Sequence, residues 1–201
     1  MAGTTRTFVA LTLPSDITAR LADLESSLAR DVPGAKWVER ENMHITLAFL
    51  GDVANADLDR VGRAVAEVGA GYPPFSIRVE GMGAFPDARR PRTVWAGVGG
   101  EGLPILLDLR KDLSSALGRA GYPSEEDRFR FHPHVTLARF KPGRGRPPDL
   151  TVLIDQHRGW SAGGFEVAEV VTFASTPGPK GPSYNPLAKA PLQGGKTECS
   201  P

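Results

Sequence analysis

Apolar and polar positions along this chain pass twice, in the same order, from strand spacing to helical spacing and back. Thr7–Leu13 (TFVALTL) is an apolar run rich in strand formers, and Pro14 stops it. Ser15 or Asp16 can cap the helix that follows, where Ile17, Leu21, Leu24 and Leu28 recur on one face. Pro33-Gly34 breaks the chain, Trp37-Val38 reads as a short extended piece, and Met43–Leu50 (MHITLAFL) reads as a strand closed by Gly51-Asp52. A second amphipathic helix carries Leu58, Val61, Val65 and Val68 and ends at Gly69. Phe75–Gly81 alternates like a half-buried strand, and Pro86–Arg92 is a basic loop.

The second pass begins at Thr93–Val98 (TVWAGV), a strand turned by Gly99-Gly100. Leu103–Ala120 is a helix with Leu106, Leu109, Leu113 and Leu117 on its buried side, and Gly121 stops it. His134–Phe140 (HVTLARF) is again a strand, and Phe165–Ala174 (FEVAEVVTFA) reads as one more. Lys141–Asp149 is a loop of Pro, Gly and basic residues. From Ala188 to Pro201 no periodicity and no large aromatic residue remain, which predicts a disordered tail after a single domain spanning 1–187.

Composition narrows the class without deciding it. The chain has 201 residues, 40% apolar and 23% charged, ordinary values for a globular protein. No apolar run approaches the roughly 20 residues that span a bilayer, and Met1–Arg6 shows no charged-then-apolar leader. The formal charge of +1 gives no molecule-wide attraction for a polyanion, so any nucleic-acid affinity must come from local patches. Cys199 is the one cysteine, which rules out an internal disulfide and fits a reducing cytoplasm.

The chemistry lies in the repeat. The units at about 7–50 and 93–140 close on the same pattern, His44-Ile45-Thr46-Leu47 and His134-Val135-Thr136-Leu137. Positions i and i+2 of a strand share a face, so His44 points with Thr46 and His134 with Thr136, while Ile45, Leu47, Val135 and Leu137 turn to the core. Two similar lobes related by an approximate two-fold can bring both polar faces to one cleft. Two facing imidazoles suit general acid–base catalysis near neutral pH. Two threonine hydroxyls between them suit the non-bridging oxygens of a phosphodiester. Such a site needs no metal or cofactor. Either histidine alone could be a half-buried structural residue; the matched pair argues against that reading.

With these residues in view, the chain resembles the two-histidine (2H) phosphoesterase superfamily, and within it the RNA 2′,3′-cyclic phosphodiesterases, also called 2′-5′ RNA ligases. The stretches that carry the likeness are FVALTLPSDI, WVERENMHITLAFLGDV, GMGAFPDARRPRTVWAGV, FHPHVTLARFK and, more loosely, GPSYNPLAKAPL. The resemblance implies an α+β, bilobal fold with a pseudo-two-fold and antiparallel-rich sheets lining a central cleft. It implies His44 and His134 as catalytic residues, Thr46, Thr136 and Arg139 as phosphate-binding residues, and opening of a 2′,3′-cyclic phosphate to a 2′-phosphate. Since the 3′ oxygen then leaves, His44 is assigned as its acid and His134 as the base for water, with the roles exchanged in the reverse, ligating direction. Strict alternation puts Arg139 on the face opposite Thr136, so a bulge or strand end must redirect it.

Phe8, Arg130 and His132 are further candidate substrate contacts, while Trp95 reads as core. His132-Pro133-His134 could suggest a metal pair, but zinc sites need three or four protein ligands and no third is indicated. Arg89, Arg90, Arg92, Lys141, Arg144 and Arg146 fit either solubilising charge or a hold on the RNA backbone. The expected partners are RNA ends or small cyclic nucleotides, with no membrane and no obligate protein partner, and the expected state is a cytoplasmic monomer. The competing readings are a phosphoesterase for 2′-5′ oligonucleotides or another small cyclic nucleotide, and an RNA-binding module with little turnover.

Overall fold

The first apolar run forms strand β1 (Thr4–Thr12), and the stripe after Pro14 forms helix α1 (Ser15–Leu28). The coordinates are a computed structural model that describes residues 3–124, 131–141, 147–178 and 181–194. A short strand β2 (Ala35–Trp37) and a 3-10 turn at Arg40–Asn42 lead into β3 (His44–Ala54). Helix α2 (Leu58–Ala70), β4 (Phe75–Phe85), β5 (Thr93–Gly99), α3 (Leu103–Arg119) and β6 (His134–Phe140) follow. The chain continues through α4 (Thr151–Gln156), β7 (Ser161–Val167), β8 (Glu169–Thr176) and β9 (Ser183–Pro191).

The strands form one antiparallel sheet in the order β7-β4-β5-β6-β3-β1-β8-β9, with β2 laid against β6. Read outward from the junction of β3 and β6, the order is β1, β8, β9 on one side and β5, β4, β7 on the other. Each side has four strands, and each is entered by a strand–helix–strand unit, so the internal repeat appears in the fold as a pseudo-two-fold through the β3–β6 seam. That seam is the register pair Ile45↔Val135, both side chains fully buried. One apolar cluster runs through both halves, joining Val9, Leu11, Ile45 and Leu47 to Val94, Ala96, Val135 and Leu137. The leucines predicted on α1 and α3 belong to it. Leu106, Leu109, Leu113 and Leu117 have no exposed surface, and each contributes roughly 1.5–3 kcal/mol of burial.

The last third of the chain departs from the reading above. Phe165–Ala174 is not one strand. β7 pairs with β4 at one end of the sheet and β8 pairs with β1 near the other, with only Ala168 between them. The sheet therefore curls, so that one residue carries the chain from its β7 edge to β8, one strand in from the other edge. Apolar density alone does not distinguish one strand from two that meet at a bend.

The tail expected from Ala188 is likewise ordered at its start. β9 pairs along β8 from Thr176↔Ser183 to Glu169↔Pro191, and Ala190 and Leu192 are buried. Gly62 and Gly69 on α2 admit this strand closely, since a Cβ on Gly69 would lie 3.5 Å from Ala190 Cβ. A short strand with small residues can be held by pairing and by such close approach without a periodic apolar face. Residues 195–201, including Cys199, lie outside the described residues, as do Arg130, Arg144 and Arg146.

Candidate active site

The seam that joins the halves also brings the two motifs together. An antiparallel register of Ile45 on Val135, carried one residue each way, sets His44 across from Thr136 and Thr46 across from His134. The two histidines are then diagonal neighbours, a relation that sets residues roughly 7–8 Å apart, with their Cβ atoms somewhat closer. That gap suits one phosphate between two imidazoles. All four side chains are half-buried on the face opposite the core, so neither ring is sealed from solvent.

Each ring is anchored in the same way. Nδ1 of His44 lies 2.7 Å from the carbonyl of Asn42, and Nδ1 of His134 lies 2.8 Å from the carbonyl of His132. A carbonyl only accepts, so Nδ1 carries the proton and donates it, and Nε2 is left with its lone pair unused by that contact. Asn42 is itself tied down, since its side-chain amide donates to Pro182 O at 3.0 Å. Arg40 braces the same turn against the start of α1, donating through Nε to Thr18 Oγ1 at 2.9 Å and through Nη2 to Ser15 O.

The redirecting bulge is present, and in both halves. Between β1 and β3 the register passes from Ala10↔Thr46 to Val9↔Ala48, and between β5 and β6 from Trp95↔Thr136 to Val94↔Ala138. The extra residue is Leu47 in one case and Leu137 in the other. Two consecutive side chains, Leu-Ala each time, are buried there, and the next residue returns to the cleft face. That residue is Phe49 in the first half and Arg139 in the second. Arg139 is thereby brought back to its threonine, with Nη2 at 3.5 Å from Thr136 Oγ1, the outer limit of a hydrogen bond.

Aromatic rings back each histidine. The His44 ring lies 4.9 Å from Phe8 and meets Tyr184 edge-on at 5.2 Å. The His134 ring meets Phe85 edge-on at 5.1 Å and lies 6.1 Å from Trp95. Phe8 is only 2% exposed. It is the floor under His44, Phe173 and Tyr184 rather than a face on which a base could stack. Trp95 is not core: Val94 and Ala96 take the buried face, and the indole lies on the cleft side against His132 at 4.6 Å. Gly83 makes room for it, since a Cβ there would fall 2.1 Å from Trp95 Cζ2. His132 is exposed at the rim of this group.

Burial governs the titration of both rings. Loss of hydration draws His44 from its ordinary 6.5 down to about 4; the Asn42 carbonyl opposes this, and the charges of Arg139 and His134 add to it. His134 is lowered for the same first reason, opposed by the His132 carbonyl and assisted by the charges of His132 and Arg139. Both shifts favour the neutral imidazole near neutral pH, with Nε2 as the nitrogen not held by a backbone carbonyl.

Neither Phe85 nor Tyr184 stands out from the sequence as part of this site. Tyr184 lies in GPSYNPLAKAPL, a stretch with apolar and aromatic residues at intervals but no clean period, so β9 goes unread with it. Among the described residues no three of His, Cys, Asp and Glu come together as a metal-binding group.

A duplicated His-x-Thr pair on adjacent strands, with each Nδ1 tied to a backbone carbonyl, defines a two-histidine phosphoesterase. The family model described as LigT-like phosphoesterase matches residues 11–95. An RNA 2′,3′-cyclic phosphodiesterase of Aeropyrum pernix is 38% identical over 84% of this chain and 92% of its own length. That of Methanothermobacter thermautotrophicus is 34% identical over 90% and 96%. Among solved structures, TT0787 of Thermus thermophilus superposes with a TM-score of 0.77 at 29% identity, covering 94% of this chain and 98% of that one. E. coli LigT complexed with 3′-AMP superposes with a TM-score of 0.73 at 25% identity, covering 95% and 99%. The chain belongs to the LigT-like family of RNA 2′,3′-cyclic phosphodiesterases.

Proposed function

We propose that this enzyme opens 2′,3′-cyclic phosphates at RNA ends to 2′-phosphates, with His44 and His134 as its acid–base pair. The observation that carries the reading is the pair of equivalent Nδ1–carbonyl anchors, which leave Nε2 of each histidine as the nitrogen available for proton transfer, on the strand face it shares with Thr46 or Thr136.

In hydrolysis, His134 Nε2 takes a proton from water as the water oxygen bonds to phosphorus. The phosphorus–O3′ bond breaks, and His44 gives its Nε2 proton to O3′. The products are a 2′-phosphate and a free 3′-hydroxyl. Thr46 and Thr136 donate to the non-bridging oxygens as charge builds on them. Arg139 supports Thr136 by donating to its oxygen, which leaves that hydroxyl's own proton for the phosphate. The low pKa of His44 makes it a strong acid once protonated, and the negative charge of a bound phosphate raises its protonated fraction. With a 5′-hydroxyl in place of water, the same displacement makes a 2′-5′ bond with the histidines in the same roles; it is cleavage of that bond back to the cyclic phosphate, rather than the ligation, that exchanges them.

The route uses no metal or cofactor. It is read as a cytoplasmic reaction of a monomer without an obligate protein partner. Among the described residues no helix is long and apolar enough to cross a membrane.

The test is product analysis on a defined RNA ending in a 2′,3′-cyclic phosphate, in the presence of EDTA. The expected product is a 2′-phosphate end at an undiminished rate. A 3′-phosphate end, or activity abolished by EDTA and restored by metal, contradicts the mechanism.

A further inference from the structure

Three cavities meet at Tyr184. One of about 390 Å³ lies on the side of His44. Another, of about 490 Å³, lies on the far side of the phenol and is walled by Arg6, Arg139, Phe49, Ser175 and Pro182. The reaction proposed above uses Arg139 only through Thr136 and does not use Arg6 at all.

The two guanidiniums are placed as a pair. Both act on the same phenol: burial raises the Tyr184 pKa, and the charges of Arg139 and Arg6 pull it back. Neither forms an ion pair with a carboxylate among the described residues. Asp52 stands directly across from Arg6 in the β1–β3 register, yet makes no salt bridge with it. Elsewhere, Arg60, Arg78, Arg158 and Lys189 each hold an acidic partner at 2.7–3.2 Å. Two cations that form no ion pair, on one concave wall, attract an anion, and guanidiniums bind phosphate oxygens through paired N–H donors.

Position says which phosphate. Arg139 reaches from Thr136, where the cyclic phosphate sits, into this cavity, and Arg6 lies beyond it on β1. A terminal nucleotide carrying its cyclic phosphate on O2′ and O3′ bears its next phosphate on O5′, one ribose away. Phe49 and Pro182 supply apolar wall for the sugar between. We propose that Arg6 and Arg139 form a second anion subsite for the 5′-phosphodiester of the terminal nucleotide, so that RNA chain ends are preferred over lone nucleosides. This rests on the reaction assigned under Proposed function and adds a residue, Arg6, that the chemistry itself does not need.

The experiment compares kcat/KM on a nucleoside 2′,3′-cyclic phosphate with kcat/KM on a dinucleotide ending in the same cyclic phosphate, for the full chain as wild type, Arg6→Ala and Arg6→Lys. The ratio of the two values cancels any loss of folded protein. The wild type should favour the dinucleotide. Arg6→Ala should cut the ratio by about tenfold, through KM, the size expected for one charge-assisted contact, and Arg6→Lys should recover part of it. Added salt should reduce the wild-type ratio more than that of Arg6→Ala. An equal ratio in wild type and Arg6→Ala overturns the subsite. Failure of the wild type on both substrates overturns the assigned reaction instead, and the subsite with it.

Discussion

His44 and His134 begin from the same chemistry and are oriented by the same hydrogen bond, to the carbonyl two residues back, just before each strand begins. Their environments differ only in degree. Both lose affinity for protons because both are taken from water, His44 to a pKa of about 4. An acid–base pair works when one ring is charged and the other neutral, so the free enzyme is most competent between its two pKa values. With both lowered, kcat/KM should peak on the acid side of the ordinary imidazole value of 6.5. The profile of kcat should lie at higher pH, because bound phosphate stabilises the imidazolium. A kcat/KM maximum well above neutrality would contradict this. Arg139 belongs to the same level of detail. Its position three residues after Thr136 is legible in the sequence as a conflict with strand alternation, and the bulge that resolves it sits at Leu137.

The elements that carry these residues are the most readable part of the chain, because period and burial agree in them. α1 is the instructive exception. Ile17, Leu21, Leu24 and Leu28 are buried as spacing predicts, but Glu25 is buried with them, and its Oε1 lacks a hydrogen-bond partner. Burial first, and then the charge of Glu39, raise its carboxyl from 4.5 to about 8. A folded pKa above the unfolded one means that the fold holds the proton. Its contribution is fully present below about pH 4.5 and is lost as pH rises through about 8. Glu25→Met keeps the length and the helix preference of the side chain and removes the charge. Its gain in melting temperature over wild type should therefore grow from pH 4.5 to 8 and then level off, read by thermal unfolding across that range. A gain that does not change with pH would show that the carboxyl is not buried in its acid form. Elements without a period are the ones that sequence reading misses: α4 is six residues long, under two turns, and β9 is held by its neighbours rather than by an apolar stripe of its own.

In the molecule as a whole, the repeat is both the plan of the fold and the plan of the site. The internal likeness reads past the four-residue motif to a fifth position, His-Ile-Thr-Leu-Ala at 44–48 and His-Val-Thr-Leu-Ala at 134–138, including the bulge. Symmetry ends at the sixth, where one half offers a phenyl ring and the other a guanidinium. The meeting of the motifs at one seam is only inferable from sequence, since the strand order around β3 and β6 depends on pairings between distant segments. The curl is not visible there at all, because it depends on one chain segment, 161–176, serving both ends of the sheet. The aromatic backing of the site comes from strands on both sides, β1 and β9 behind His44 and β4 and β5 behind His134. No local pattern announces such a group.

The claim on which the rest depends is that the two histidines act on one phosphate in one step. The direct measurement is kcat for His44→Ala, His134→Ala and the double variant on an RNA cyclic phosphate. Each single change should lower kcat by on the order of 10²–10⁴. Loss of either partner already disables the shared step, so the double variant should fall little below the weaker single one. Losses that multiply in the double variant would mean that the rings act independently, and would contradict the account.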